Sequence, residues 1–354
     1  MTKILIVKRD KLGDMLLTTP MLAWLRAALP HAELHVLAND YNAWVLNGDH
    51  NVDHVWCTPR LRHDGKLRLG LIWSSLLHRR EIVRQRFDWV LIGNGEESPR
   101  AIKLGLAAKG MQTVAYCKEA HRWPGLSHPL LPPQGGHESR RIAATACAMG
   151  LDLPTELPAP TYVLPNESRQ SSLAWLSERN IAPDSFVIVG LGARKQKKKP
   201  SVQQVARWAN YFSVALGKKT ILLWTPGSQN SKLYPGDDEL AHQILVETGA
   251  TIVPFQGALD QTIGMIWHAS TSIIPDSGLM HFAAASPGGV LGLFANRSIS
   301  PSPEQWGPIG PRALHLEAGS AVAEIDDALI FGAVKRLLQG DTITEFHVSG
   351  LPEY

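Results

Sequence analysis

Ile4–Val7 (ILIV) is a continuous apolar run of the kind that forms a buried parallel strand, and it opens a pattern that the chain then repeats. A polar turn, Lys8–Asp14, comes next, then a helical pattern over Met15–Leu29 that stops at Pro30. Glu33–Leu37, Trp89–Ile92 and Thr113–Ala115 read as further strands, and Tyr41–Leu46 as the opening of a helix. Strand, turn and helix alternating through short connections is the signature of βαβ units and a doubly wound sheet. Leu151–Pro165 breaks the pattern with four prolines and no helical period, so it reads as an extended linker. Beyond it the alternation restarts. Strands are expected at Phe186–Val189, Thr220–Trp224, Thr251–Val253, Ser272–Ile274 and Val290–Phe294. Helices are expected at Ser172–Glu178, Val202–Leu216, Asp238–Thr248 and Leu279–Ala285. The 354 residues thus divide into two α/β domains, 1–160 and 161–335, with 336–354 as a tail expected to pack back on the first. A ligand site is expected between the domains, at the carboxyl ends of the strands.

Charge narrows the partners. Lys and Arg total 35 against 32 Asp and Glu, a net +3, which excludes a polybasic nucleic-acid binder. Residues 1–165 hold 20 cations against 15 acids, and residues 166–354 hold 15 against 17, so the two halves differ in sign. Cys57, Cys117 and Cys147 are too scattered for a disulfide framework or a zinc site and read as free thiols in a reducing compartment. The first apolar run is too short for a secretory signal, and no stretch reaches about 18 apolar residues. A cytoplasmic location is therefore expected, with contact at a membrane surface left open.

Three segments can carry chemistry. In Lys8–Asp14, Gly13 allows a tight turn or a close approach to a ligand. Asp14 is either a first-turn or N-cap acid facing the helix dipole, or a carboxylate placed to act as a general base. In Pro275–His281, a strand ends in Asp276-Ser277-Gly278 and a small-residue helix begins at once; its first N–H groups suit a diphosphate. Asp276 could hold ribose hydroxyls or cap that helix, and His281 is either structural or faces its mouth. In Gly190–Pro200, a Gly-x-Gly leads into a run in which every residue from Arg194 to Lys199 except Gln196 is cationic. That run is either a solvated loop or a phosphate cradle. Lys195 stands where a dinucleotide fingerprint needs its third glycine, which counts against a hydride-transferring enzyme. Asp-x-Asp, HExxH, GxSxG and Walker motifs do not occur, so metal-dependent sugar transfer, zinc proteolysis, serine hydrolysis and P-loop chemistry lose support. A cationic loop can neutralise a leaving diphosphate without a metal.

In this order the segments resemble glycosyltransferase family 9, the bacterial lipopolysaccharide heptosyltransferases. The similarity is carried by ILIVKRDKLGDMLLTTP, by the strand–Gly-x-Gly–basic loop–Pro element, by DSGLMHFAA near residue 276, and by PSPEQWGPIG at Pro301–Gly310. It implies a GT-B fold, two Rossmann-like doubly wound domains facing each other across a cleft. It also implies an inverting transfer of L-glycero-D-manno-heptose from ADP-heptose to the inner core, with no metal or other cofactor. Asp14 matches the general base, and Gly13 adjoins it on the acceptor side. Lys197, three residues before Pro200, matches the lysine on the donor phosphates, beside Gly192 and Ala193. Asp276, Ser277, Gly278, Leu279 and His281 match the donor-binding segment. The family often has a tryptophan where this chain has Lys199, and an acidic residue on the ribose where Thr225–Asn230 offers only the amide of Gln229.

Between Arg60 and Arg86 lie eight cations against Asp64 and Glu81, flanking an apolar stretch with Trp73. This is either a core-facing helix with a solvated basic face, or a surface for an anionic lipid-linked acceptor, the lipid A–core, at the inner leaflet. On the second reading Arg60, Arg62, Arg79 and Arg80 hold the acceptor. Two further classes stay open: a GT-B enzyme with another donor or acceptor, and a non-catalytic sugar-nucleotide-binding protein.

Overall fold

A computed structural model describes residues 1–58, 62–63, 66–67, 70–231, 235–299 and 301–340, and of residues 62–63, 66–67 and 70–76 the backbone alone. The chain forms two compact units, Met1–Val163 and Leu164–Tyr354.

In the first unit the order is β1 (Lys3–Val7), α1 (Leu12–Leu16), α2 (Thr19–Ala28), β2 (Glu33–Asn39) and β3 (His54–Thr58). The two-residue ladder β4 (Arg62–His63) and β5 (Lys66–Leu67) precedes α3 (Gly70–Arg84), β6 (Trp89–Ile92) and α4 (Pro99–Ala107). Then come β7 (Gln112–Tyr116), β8 (His128–Leu130) and α5 (Glu138–Ala143). The main sheet is parallel, in the order β3-β2-β1-β6-β7-β8. The second unit runs α6 (Asn166–Glu178), β9 (Phe186–Gly190), α7 (Val202–Leu216), β10 (Lys219–Leu223), α8 (Asp238–Thr248) and β11 (Ile252–Phe255). It continues with α9 (Leu259–Trp267), β12 (Thr271–Pro275), α10 (Gly278–Ala284), β13 (Val290–Phe294), α11 (Pro303–Trp306), β14 (Ala313–Glu317) and α12 (Asp327–Gln339). Its sheet is parallel too, in the order β11-β10-β9-β12-β13-β14. Both are doubly wound α/β sheets whose strand order reverses once, at β1/β6 and at β9/β12, as the GT-B class requires of each half.

Strand text without polar interruption follows from two-sided burial. Val187 and Val189 of β9 pack with Trp208 and Phe212 of α7 and Val334 of α12, while Phe186 and Ile188 pack with Met265 of α9 and Met280 of α10. Each such buried side chain contributes about 1.5–3 kcal/mol before entropy is subtracted.

The structure departs from expectation in several places. The helix expected over Met15–Leu29 is two helices, because Pro20 sits in the first turn of α2 and the Thr18 and Thr19 hydroxyls donate to the carbonyls of Asp14 and Leu16. Tyr41–Leu46 yields only a 3₁₀ turn at Ala43–Leu46, held by reciprocal side chain–backbone bonds of Asn39 and Asn42. Much of the linker text lies on the first unit: Arg140 donates to the carbonyls of Pro154 and Thr155, and Thr161 N–H donates to Thr19 Oγ1. The tail expected from residue 336 begins inside α12, whose Leu337 is buried in the core of the second unit. Residues 341–354 lie outside the described residues.

Candidate functional site

The polar groups of interest gather at the carboxyl ends of strands beside each reversal of strand order, where an open α/β sheet leaves a crevice. In the first unit these are the loop after β1 and the Gly93-Asn94-Gly95 turn after β6. Asp14 is not a cap. It is the third residue of α1, half-buried, and its Oδ2 accepts the N–H of Lys11 at 3.1 Å. Gly13, immediately before it, is buried. Lys8, only 1% exposed, pairs with Asp10 Oδ2 at 3.1 Å, and Asn94 Nδ2 donates to the same oxygen at 2.6 Å. Asn39 and Asn42 brace this loop by donating to the carbonyls of Arg9, Lys8 and Asp10. Glu138, at the head of α5, is buried and accepts the N–H of Gly95 at 2.9 Å. A Cβ on Gly95 would lie 2.5 Å from that carboxylate, so any larger residue here would have to displace the Glu138 side chain. Burial pushes the Asp14 carboxyl above its ordinary value; Lys8 pulls against the rise, and Asp10 and Glu138 add to it. A buried carboxylate whose basicity is lifted in this way is suited to accept a proton from a hydroxyl.

In the second unit the expected donor residues follow three adjacent strands, β10, β9 and β12. Gly192 and Ala193 follow β9, with Ala193 buried. The cationic run that starts at Arg194 is not uniformly solvated. Lys198 Nζ lies 2.5 Å from Asp276 Oδ2, and Lys199 is buried and paired with Asp237. Lys195 donates to the Ile299 carbonyl at 2.8 Å, while Lys197 is exposed. Burial raises Asp237, against the pull of Lys199. After β12, Ser277 is the N-cap of α10, its Oγ buried without a hydrogen-bond partner, and Gly278 is exposed. Leu279 packs on the core, and His281 is buried one turn in.

Sequence reasoning missed the acids beside Gln229. Thr225, Gly227 and Ser228 are bonded through the backbone to Asp237, Asp238 and Gly236, which brings the first turn of α8 alongside them. There Asp238 accepts from Trp224 Nε1 and Gly227 N–H, and Glu239 accepts from Ser228 Oγ and the N–H of Gln229. The loop is therefore acid-lined, where Thr225–Asn230 alone offers one amide; the signal was the Asp-Asp-Glu run opening α8. Lys8 and Asp10 stand in the segment singled out, but Asn94 and Glu138 were missed because their partners, Asp10 and Gly95, are remote in sequence.

Of the four arginines expected to hold an acceptor, Arg79 and Arg80 are exposed on α3. This helix packs on the edge strand β3, whereas Asp14 follows β1, two strands in. Arg60 and the Arg62 side chain lie outside the described residues. Among the described residues no group of three or more His, Cys, Asp or Glu could hold a metal ion, and no helix is long and apolar enough to cross a membrane.

Residues 76–325 match the family described as glycosyltransferase family 9 (heptosyltransferase). A Haemophilus influenzae relative named provisionally as a glycosyltransferase is 22% identical over 321 residues, 89% of this chain and 88% of its own. The family 9 glycosyl transferase of Veillonella parvula superposes with a TM-score of 0.78 at 19% identity, covering 96% of this chain and 97% of that one. The E. coli heptosyltransferase WaaC, solved with ADP, superposes with a TM-score of 0.73 at 16% identity, covering 95% and 100%. The matched residues run from α3 of the first unit through most of the second, more than half of the chain, and the chain belongs to glycosyltransferase family 9, the heptosyltransferase family.

Proposed function

We propose that this glycosyltransferase moves L-glycero-D-manno-heptose from ADP-heptose to the inner core of lipopolysaccharide, with inversion, without a metal, and with Asp14 as general base. The observation that carries the reading is the setting of Asp14, a half-buried carboxylate braced at the β1/β6 reversal in a chain of this family. The carboxylate takes the proton of an acceptor hydroxyl as the oxygen attacks the anomeric carbon. The bond from that carbon to the donor phosphate breaks on the opposite face, and ADP leaves with the electron pair. Lys197, exposed and next to the Lys198–Asp276 pair, offsets the charge of the departing diphosphate. Gly192, Ala193, Ser277 and Gly278 offer backbone or hydroxyl contacts, and Glu239 joins Gln229 in offering groups to the nucleotide ribose. WaaC has been solved with ADP and with ADP-2-deoxy-2-fluoro heptose, which supports an adenine nucleotide sugar here.

On the acceptor side we propose that the basic face of α3, with Arg79 and Arg80, meets an anionic lipid-linked oligosaccharide at the cytoplasmic face of the inner membrane. A second reading, another nucleotide sugar on the same fold, is favoured by Lys199 standing where the family often has tryptophan. Incubating the protein with ADP-heptose and with a panel of UDP- and GDP-sugars, and weighing the products, separates the two. Product from ADP-heptose alone supports heptose transfer; product only from another donor refutes it.

A further inference from the structure

The cationic run ties three loops together: Lys195 to Ile299 after β13, Lys198 to Asp276 after β12, and Lys199 to Asp237 ahead of α8. The third tie is unlike the others in being shut off from water, its side chains 4% and 1% exposed. A buried ion pair adds little net stability, because desolvation offsets most of the attraction; what such a pair can fix is geometry. This one grips a neck. Asp237 N–H donates to the Thr225 carbonyl at 2.8 Å, and Thr225 N–H donates to Asp237 Oδ2 at 3.2 Å. Gly236 N–H donates to the Ser228 carbonyl at 3.0 Å. Gly227 lies at φ +113°, and a Cβ on Gly236 would fall 1.9 Å from the Gly227 carbonyl, so the two limbs touch backbone to backbone. Just beyond the neck stand Ser228 and Gln229, held by Glu239.

We propose that Lys199 and Asp237 form a positioning pair for the nucleotide, pinning the neck formed by residues 225–228 and 236–237 to the loop after β9 so that Ser228, Gln229 and that loop present their polar groups in fixed register. The inference rests on the donor-site reading of the second unit. An aromatic ring in place of Lys199 carries no charge to pair with the buried Asp237 carboxylate, which also holds Thr225.

Removing one partner leaves a lone buried charge and can unfold the chain, so the informative variant is Lys199→Met with Asp237→Leu, which removes both charges at similar volume. Amide hydrogen exchange over residues 225–230 and calorimetric titration with ADP are measured on the full chain, beside thermal unfolding. The double variant is expected to unfold cooperatively, to exchange these amides at least about tenfold faster, and to bind ADP at least about tenfold more weakly. Wild-type exchange overturns the proposal, and so does faster exchange with ADP affinity within about twofold of wild type. A wild-type protein that binds no ADP refutes the donor-site reading itself, and the inference with it.

Discussion

Lys198 Nζ sits 2.5 Å from Asp276 Oδ2, with both side chains largely withdrawn from solvent. The lysine nearest the end of β12 is thus already neutralised, and its neighbour Lys197 stands exposed. A diphosphate meets Lys197 without first breaking an ion pair. Lys197→Met should therefore weaken ADP binding about tenfold, the worth of one charge-assisted contact, with thermal stability unchanged. Calorimetric titration checks the first and thermal unfolding the second, and unaltered ADP affinity would remove Lys197 from the donor site.

The base must be ionised to work, so activity is lost as pH falls through the Asp14 pKa. Burial raises that value above that of an ordinary aspartate, with Asp10 and Glu138 adding and Lys8 opposing. The acid limb of kcat/KM should accordingly lie above the ordinary aspartate value. Asp10→Asn removes a raising charge and frees Lys8, which Asp10 now pairs with, so the limb should move to lower pH. A limb that stays in place, or moves up, would contradict this charge balance.

His35 predicts a pH dependence of stability in the first unit. The Trp56 indole, which can only donate, gives its N–H to His35 Nδ1 at 3.0 Å, so the neutral ring carries its proton on Nε2, toward Glu33. Burial lowers the His35 pKa, the nearby His54 adds to the fall, and Glu33 opposes it. The folded state thus binds this proton more weakly than the unfolded chain, whose histidine titrates near 6.5. The contribution of His35 is complete above that value and declines as pH drops through it toward the lower folded value. Urea midpoints from pH 7.5 to 5 should fall less steeply for His35→Gln than for the wild type. Equal slopes would rule His35 out.

Local text carried the elements whose signals are local. Val202–Leu216 was legible end to end because Ser201 and Gln204 cap its start and Gly217, at φ +62°, closes it. Val290–Phe294 was legible because it is buried on both faces. β3, β8 and β14 were not, since they are sheet edges of mixed polarity that never show a continuous apolar run. The site divides in the same way. Asp14, Lys197 and Asp276 stand in motifs readable in order along the chain. The burial of Lys199 depends on Asp237, 38 residues away, and the contact of Glu138 with Gly95 spans 43. No periodicity records such pairs.

Arg79 and Arg80 are exposed on α3, while Arg84 is engaged by Glu81 at 3.0 Å. Arg79→Glu with Arg80→Glu should raise KM for an anionic lipid-linked acceptor by about tenfold at low salt and by less at high salt, where exposed charges are screened. Affinity for ADP should not change. Acceptor kinetics unaffected by the double reversal would remove α3 from the acceptor surface.

Asp14→Asn keeps the size of the side chain and removes its basicity. Turnover of ADP-heptose onto a lipid A–core acceptor, followed by product mass, is measured beside ADP affinity. The expected result is a fall in kcat of about 10²–10⁴-fold, the usual contribution of a positioned general base, with ADP binding within about twofold of wild type. Turnover of Asp14→Asn within a few-fold of wild type would contradict the assignment of Asp14 as the base.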